Sequence, residues 1–115
     1  MISEQLSFLP DSLPDSHPFP PARERTVWNA LPQRVKDRFL KAGEAALAAA
    51  IAPLPLSLWL DFSHTGRRTA WEDAYFSRRA RLCALVCAEC VEHTGRFLGA
   101  IADTVWALCE ESAWQ

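Results

Sequence analysis

The sequence predicts an all-α fold behind an extended, proline-rich arm. Three observations carry that expectation. Apolar residues recur at helical spacing as Val35, Phe39, Ala42, Ala46 and Ala50, and again as Phe97, Ile101, Val105 and Leu108. Pro53, Pro55 and Gly95 punctuate the periodic stretches where helices must stop. Thr69-Ala70-Trp71-Glu72 has the spacing of a capping box, in which a hydroxyl and a carboxylate satisfy each other's backbone donors. From Asp61 onward the pattern is that of a helical hairpin.

Residues 1–21 form the arm. Pro10, Pro14, Pro18, Pro20 and Pro21 exclude a helix there. Leu6, Phe8, Leu9, Leu13 and Phe19 give it apolar anchors, so a docked arm is expected. Residues 22–115 form the helical domain. A short helix spans 22–30. Pro32 opens a second helix at the favoured first position, and it runs to about Ala52. Its small-residue run, 45–52, permits close helix approach. The stretch 53–66 reads as an apolar loop across helix ends. A long helix follows from Thr69 to about His93, Gly95 breaks it, and a last helix covers about 96–112. Only Glu89 is charged between Leu82 and Val91, so that window is expected to be buried on every side. The chain reaches Glu110-Glu111-Ser112-Ala113-Trp114-Gln115 without a helix-stop signal, which predicts a piece of a larger helical protein.

The 115 residues allow one domain at most. A net charge of −2 and a pI near 5.9 argue against a general nucleic-acid binder. The longest apolar stretch is far below the roughly 20 residues a membrane span needs. The start lacks the basic and apolar regions of a signal peptide, which predicts a cytoplasmic location and reduced thiols.

Cys83, Cys87 and Cys90 match in spacing the C-x3-C-x2-C iron–sulfur signature of radical S-adenosylmethionine enzymes. A cluster needs thiolates converging from a flexible loop, whereas these three fall on one helix face among Leu82, Leu85, Val86 and Val91. They are therefore expected in the core, as is Cys109. No metal and no cofactor is implied. His17, His64 and His93 are scattered, and only His64, beside Gly66, Arg67 and Arg68, sits near other polar groups. Arg67, Arg68, Arg78, Arg79 and Arg81 form a basic cluster. It suits either anionic groups, because guanidinium forks match carboxylate and sulfate, or structural ion pairs to other helices. Trp71 and Trp106 read as core packing, while Trp59 and Trp114, at element ends, read as cleft-lining rings suited to sugars.

One family accommodates several of these features. The run Phe62-x-x-Thr65-Gly66-x-Arg68-x-x-x-Glu72-x-x-Tyr75-Phe76-x-Arg78-Arg79, then Gly95-Arg96-Phe97-Leu98, then Cys109-Glu110-Glu111-Ser112-x-Trp114, resembles the N-terminal helical region of heparinase II/III-like polysaccharide lyases. The resemblance covers roughly the last half of the chain. It implies antiparallel helical hairpins forming part of an (α/α) toroid, and β-elimination at a uronic acid in the full-length relative. The family's neutralising Asn or Arg and its proton-transferring Tyr and His lie beyond the Glu-Glu-x-x-Trp block. No catalytic residue is carried over, Tyr75 included, and this chain alone is expected to be inactive.

The substrate-contacting candidates are Trp59, Arg67, Arg78, Glu111 and Trp114. The partners this reading implies are an anionic polysaccharide or oligosaccharide in the full-length relative, and the rest of the toroid. The alternative is a non-enzymatic helical interaction module that self-associates or binds a partner through apolar helix faces.

Overall fold

The computed structural model describes residues 18–112, which are organised as five α-helices with no strand among them. Residues 1–17, most of the predicted arm, and residues 113–115 lie outside the described part. The helices are α1 (Arg25–Asn29), α2 (Gln33–Ala48), α3 (Leu56–Thr65), α4 (Thr69–Glu92) and α5 (Leu98–Cys109). The 24-residue α4 is the hub, and each of the other four helices packs against it.

Pro32 sits at the N-cap of α2, one position earlier than its predicted place inside the first turn. The helix ends at Ala48 rather than Ala52, with Ala49 extended. The reason lies across the interface. The Arg81 guanidinium donates to the carbonyl of Ala46 and, at 2.6 Å, to that of Ala49, replacing the partners a further turn would supply.

The predicted loop at 53–66 is in fact largely helical. Pro55 provides an extended N-cap, Thr65 Oγ1 donates back to the Asp61 carbonyl at 2.8 Å, and Gly66 closes α3 in the left-handed region at φ 71°. Proline ahead and glycine behind is a helix-boundary signature. The many leucines masked it by suggesting a buried connector.

The capping box at Thr69–Glu72 does not form. Arg68 occupies the cap in a helical conformation, and its side chain takes the Glu72 carboxylate at 3.0 Å. The other end follows expectation: α4 stops at Glu92, His93 turns left-handed at φ 57°, and Gly95 follows at φ 86°.

Both long neighbours of α4 run antiparallel to it. On one side, Gly43 of α2 meets Ala88, while the Ala52 carbonyl beyond α2 accepts from Arg78 at 2.7 Å. On the other, Glu89 reaches Phe97 at the start of α5, Arg81 reaches Thr104 Oγ1 at 3.1 Å, and Arg79 reaches Glu111 past its end. The core is small: Leu85, Ala88 and Phe97 are buried, with Leu40, Ala46, Ala100 and Ile101 against them. Close approach depends on Gly43, where a Cβ would overlap the Ala88 methyl and press to 3.3 Å from the Phe97 ring. The small-residue contact is thus centred just before the predicted 45–52 run.

Glu89 is the buried charge of this core. Its carboxylate accepts from the Gly95 N–H at 2.7 Å and the Phe97 N–H at 3.3 Å. It caps the start of α5 from the preceding helix, where negative charge also meets the positive end of the helix dipole. Around it, the window Leu82–Val91 is not buried on every side. Leu85, Ala88 and Val91 are enclosed, but Cys83 and Val86 are exposed because, among the described residues, no helix covers that flank of α4.

Arginines close the remaining helix ends. Arg25 donates to the Cys90 and Val91 carbonyls at 2.7 and 2.9 Å, satisfying the last turn of α4 and fixing α1 there. The Trp28 indole donates to the Pro21 carbonyl at 3.2 Å. At the surface, Arg96 bridges Glu92 and Glu44 at 2.6 and 2.8 Å. Its hydrogen bonds, with that of Thr94, hold the Glu92 carboxyl below the ordinary carboxylate range. That small contribution is complete above the unfolded carboxyl's pKa and is lost as pH falls through the lowered folded value.

Two substitutions test this packing. Glu89→Ala strands the buried Phe97 N–H and the partly buried Gly95 N–H and is expected to cost about 2 kcal/mol in urea denaturation; a loss within error would show that the carboxylate does not hold the turn. Gly43→Ala is expected to cost about 1–3 kcal/mol by overpacking. Ala88→Gly in the same chain should restore part of it, because the two positions share one contact.

Candidate functional site

Where α3, the first half of α4 and the end of α5 meet, the helices leave a cavity of about 590 Å³. That is within the range of small-molecule sites. Leu54, Leu56, Trp59 and Trp71 wall it, and Arg78 and Glu111 form its polar side. Aromatic packing sets the walls. Trp59 meets Trp71 edge-on with ring centroids 5.2 Å apart, and Trp71 stacks on Tyr75 at 6.2 Å. The Trp71 indole N–H is buried and has no hydrogen-bond partner among the described residues.

The structure therefore brings together three of the five candidate residues, Trp59, Arg78 and Glu111. Arg67 lies on the exposed turn between α3 and α4, away from the cavity; its backbone N–H donates to Thr65 Oγ1 at 3.2 Å. Trp114 falls outside the described residues. Trp71, expected only as core, is both buried and cavity-lining. Its signal in the sequence was its place at the start of α4, opposite the apolar 54–62 stretch.

The charges at the cavity are committed to the fold. Glu111, with its side chain 3% exposed, accepts from Arg78 at 3.2 Å and from both terminal nitrogens of Arg79 at 3.2 and 2.5 Å. Arg78 further donates to the Ala52 carbonyl at 2.7 Å and the Ala107 carbonyl at 3.4 Å. Arg79 lies over the Tyr75 ring, 3.3 Å from its centroid. Two guanidinium groups on one buried carboxylate supply the compensation that buried charge requires. What the cavity offers a visitor is aromatic and apolar surface beside a trio, Arg78, Arg79 and Glu111, already engaged with one another. Tyr75 is enclosed beneath Arg79, while His64 and His93 are exposed on α3 and in the α4–α5 turn.

The cysteines depart from their predicted place in the core. Cys83 and Cys109 are exposed, and Cys87 and Cys90 are half-buried. All three α4 thiols follow the uncovered flank of the helix. Burial, then the neighbouring Cys83, pushes the Cys87 thiol up. Burial raises Cys90 too, followed by Cys87; Arg25 partly offsets this and Glu89 adds to it. Among the described residues, no group of three His, Cys, Asp or Glu side chains is arranged to hold a metal ion.

The cysteines lie along an exposed apolar flank of the α4–α5 hairpin. On α4, Phe76 is 54% exposed and Val86 39%; on α5, Leu98 is 56%, Val105 42% and Trp106 69%. Exposed Ala80, Cys83, Ala102 and Cys109 fill the positions between them. Comparison with known proteins adds no family. No protein-family model matches this chain, and no curated protein matches it significantly. Among the described residues, no helix is long and apolar enough to cross a membrane.

Thiol chemistry checks this arrangement. Under native conditions near neutral pH, and with the chain dilute enough to be monomeric, iodoacetamide is expected to modify Cys83 and Cys109 before Cys87 and Cys90, as read by peptide mass spectrometry. Equal rates at all four would contradict the burial order.

Proposed function

We propose that this chain is a helical interaction module, working through apolar helix surface rather than through chemistry of its own. The observation that carries this reading is the exposed face of the α4–α5 hairpin, where Phe76, Leu98 and Trp106 each leave half or more of their surface uncovered. Exposed apolar side chains grouped along one hairpin are a feature of protein contact sites. The engagement of Arg78, Arg79 and Glu111 with one another supports it further, since those groups are already occupied without a ligand. Four unpaired cysteines, two of them exposed, suit a reducing compartment such as the cytoplasm.

A second reading has its own observation. Antiparallel packing of α2 and α5 on α4 is also what part of an (α/α) toroid requires, and Trp59, Arg78 and Glu111 do converge on a cavity. In a polysaccharide lyase this chain would be toroid wall, and the uncovered face would receive the next hairpin. Either way that face is a contact surface, and the chain alone is not a catalyst.

Binding of an apolar fluorescent dye, read beside light scattering, tests the module. The native chain is expected either to bind the dye as a monomer or to bury the face by associating. Leu98→Glu/Trp106→Glu should do neither while keeping its helical circular dichroism and melting cooperatively. A native chain that stays monomeric and binds no dye would overturn the reading. So would release of unsaturated product from a uronate polysaccharide.

A further inference from the structure

We propose that the occupant of the α4–α5 face is a second copy of this chain, joined two-fold about an axis near Cys83 and Ala102. This rests on the module reading and names its partner.

The geometry of the hairpin comes first. Arg78, Arg81 and Glu89 of α4 reach α5. One residue further on, about 100° round the helix, come Arg79, Leu82 and Cys90, and the same flank carries Phe76, Cys83 and Val86. On α5, Phe97, Ile101, Thr104 and Leu108 are buried or partly buried. One residue further on come Leu98, Ala102, Val105 and Cys109. In an antiparallel pair, the same rotation on each helix turns both stripes to one side, here the side away from α2. Because Arg81 is level with Thr104, Cys83 is level with Ala102, and both lie midway along their stripes.

The face suits a copy of itself. Its centre is small, with Ala80, Cys83 and Ala102, while Phe76, Val86, Leu98 and Trp106 stand toward the ends. A two-fold axis through the centre lets the two hairpins approach closely and lays the large residues of one end over those of the other. Within the stripes the one charge is Arg79, which Glu111 holds, while the exposed Asp103 and Glu110 stand at the outer edge of α5, beyond Trp106. Trp106 is fixed along α5 by donating to Glu110 at 3.0 Å. The area is also sufficient. With whole aromatic side chains at about 150–250 Å² each and the exposures above, the apolar face totals roughly 500 Å² per copy. A standard interface buries about 800 Å² per partner, of which about two-thirds is apolar in a homodimer.

The test uses the full chain, light scattering across a dilution series, and a short bis-maleimide. The expected result is a dimer whose subunits cross-link through Cys83, with the cross-link abolished by Cys83→Ala and retained by Cys109→Ala. Ala102→Glu, at an exposed position, should raise the dissociation constant by at least about tenfold; its unchanged circular dichroism would show that the fold survives. A chain that stays monomeric at high concentration overturns the second copy. If that monomer binds apolar dye, the module reading stands with a different partner. A dimer that cross-links only through Cys109, or that Ala102→Glu does not weaken, overturns this face as its interface.

Discussion

The arrangement of the three long helices depends on one buried carboxylate. Glu89 belongs to α4 but satisfies the N–H groups of Gly95 and Phe97, which open α5. That capping aims Phe97 into the core, against Ala88 and within 3.3 Å of where a Gly43 Cβ would stand. One side chain thus links a turn, a helix start and a helix crossing. The crossing tolerates no methyl on Gly43, and the turn needs the left-handed backbone at His93 and Gly95. With so few residues fully buried, the fold depends on polar closure as much as on apolar area.

Arginine supplies the rest of that closure. Arg25, Arg78 and Arg81 donate to main-chain carbonyls at or beyond helix ends, where intrahelical partners run out. The sequence announced the basic cluster but not this use of it. Arg25 meets its acceptors 65 and 66 positions away, and nothing local marks a carbonyl as orphaned. The helices themselves, by contrast, were legible because periodicity is local. So were the His93–Gly95 break and the proline at the start of α2. The buried faces of the helices were only partly so: Ala42, Ala50 and Val105 of the expected stripes are exposed, and Trp106, expected in the core, is 69% exposed because no described helix packs on its side of α5. The helix α3 was signalled by Pro55 and Gly66 but hidden by a leucine-rich composition that fits a buried loop equally well.

The candidate site shows the same division. Trp59, Arg78 and Glu111 were named from residue type and position, and they do share a cavity. Their pairing was not readable. Glu111 is claimed by Arg78 and Arg79 together, and Trp71 joins the wall through its stack on Tyr75. The cysteine placement failed for a related reason. An apolar window on a helix reads as buried all round, but burial requires a partner on every side. Among the described residues, α2 and α5 cover two sides of α4 and leave a third, so Cys83 and Val86 are exposed. That third side continues onto α5, where Leu98 and Val105 are exposed as well.

If Glu89 holds the hairpin as a rigid unit, the amides it binds should open only when the whole domain unfolds. Native-state hydrogen exchange by NMR reads this residue by residue. The expected result is that the Gly95 and Phe97 amides, although they lie in a turn and at a helix start, exchange as slowly as amides in the middle of α4. Exchange within the first minutes, at the rate of an exposed turn, would contradict the claim and with it the rigid face built on it.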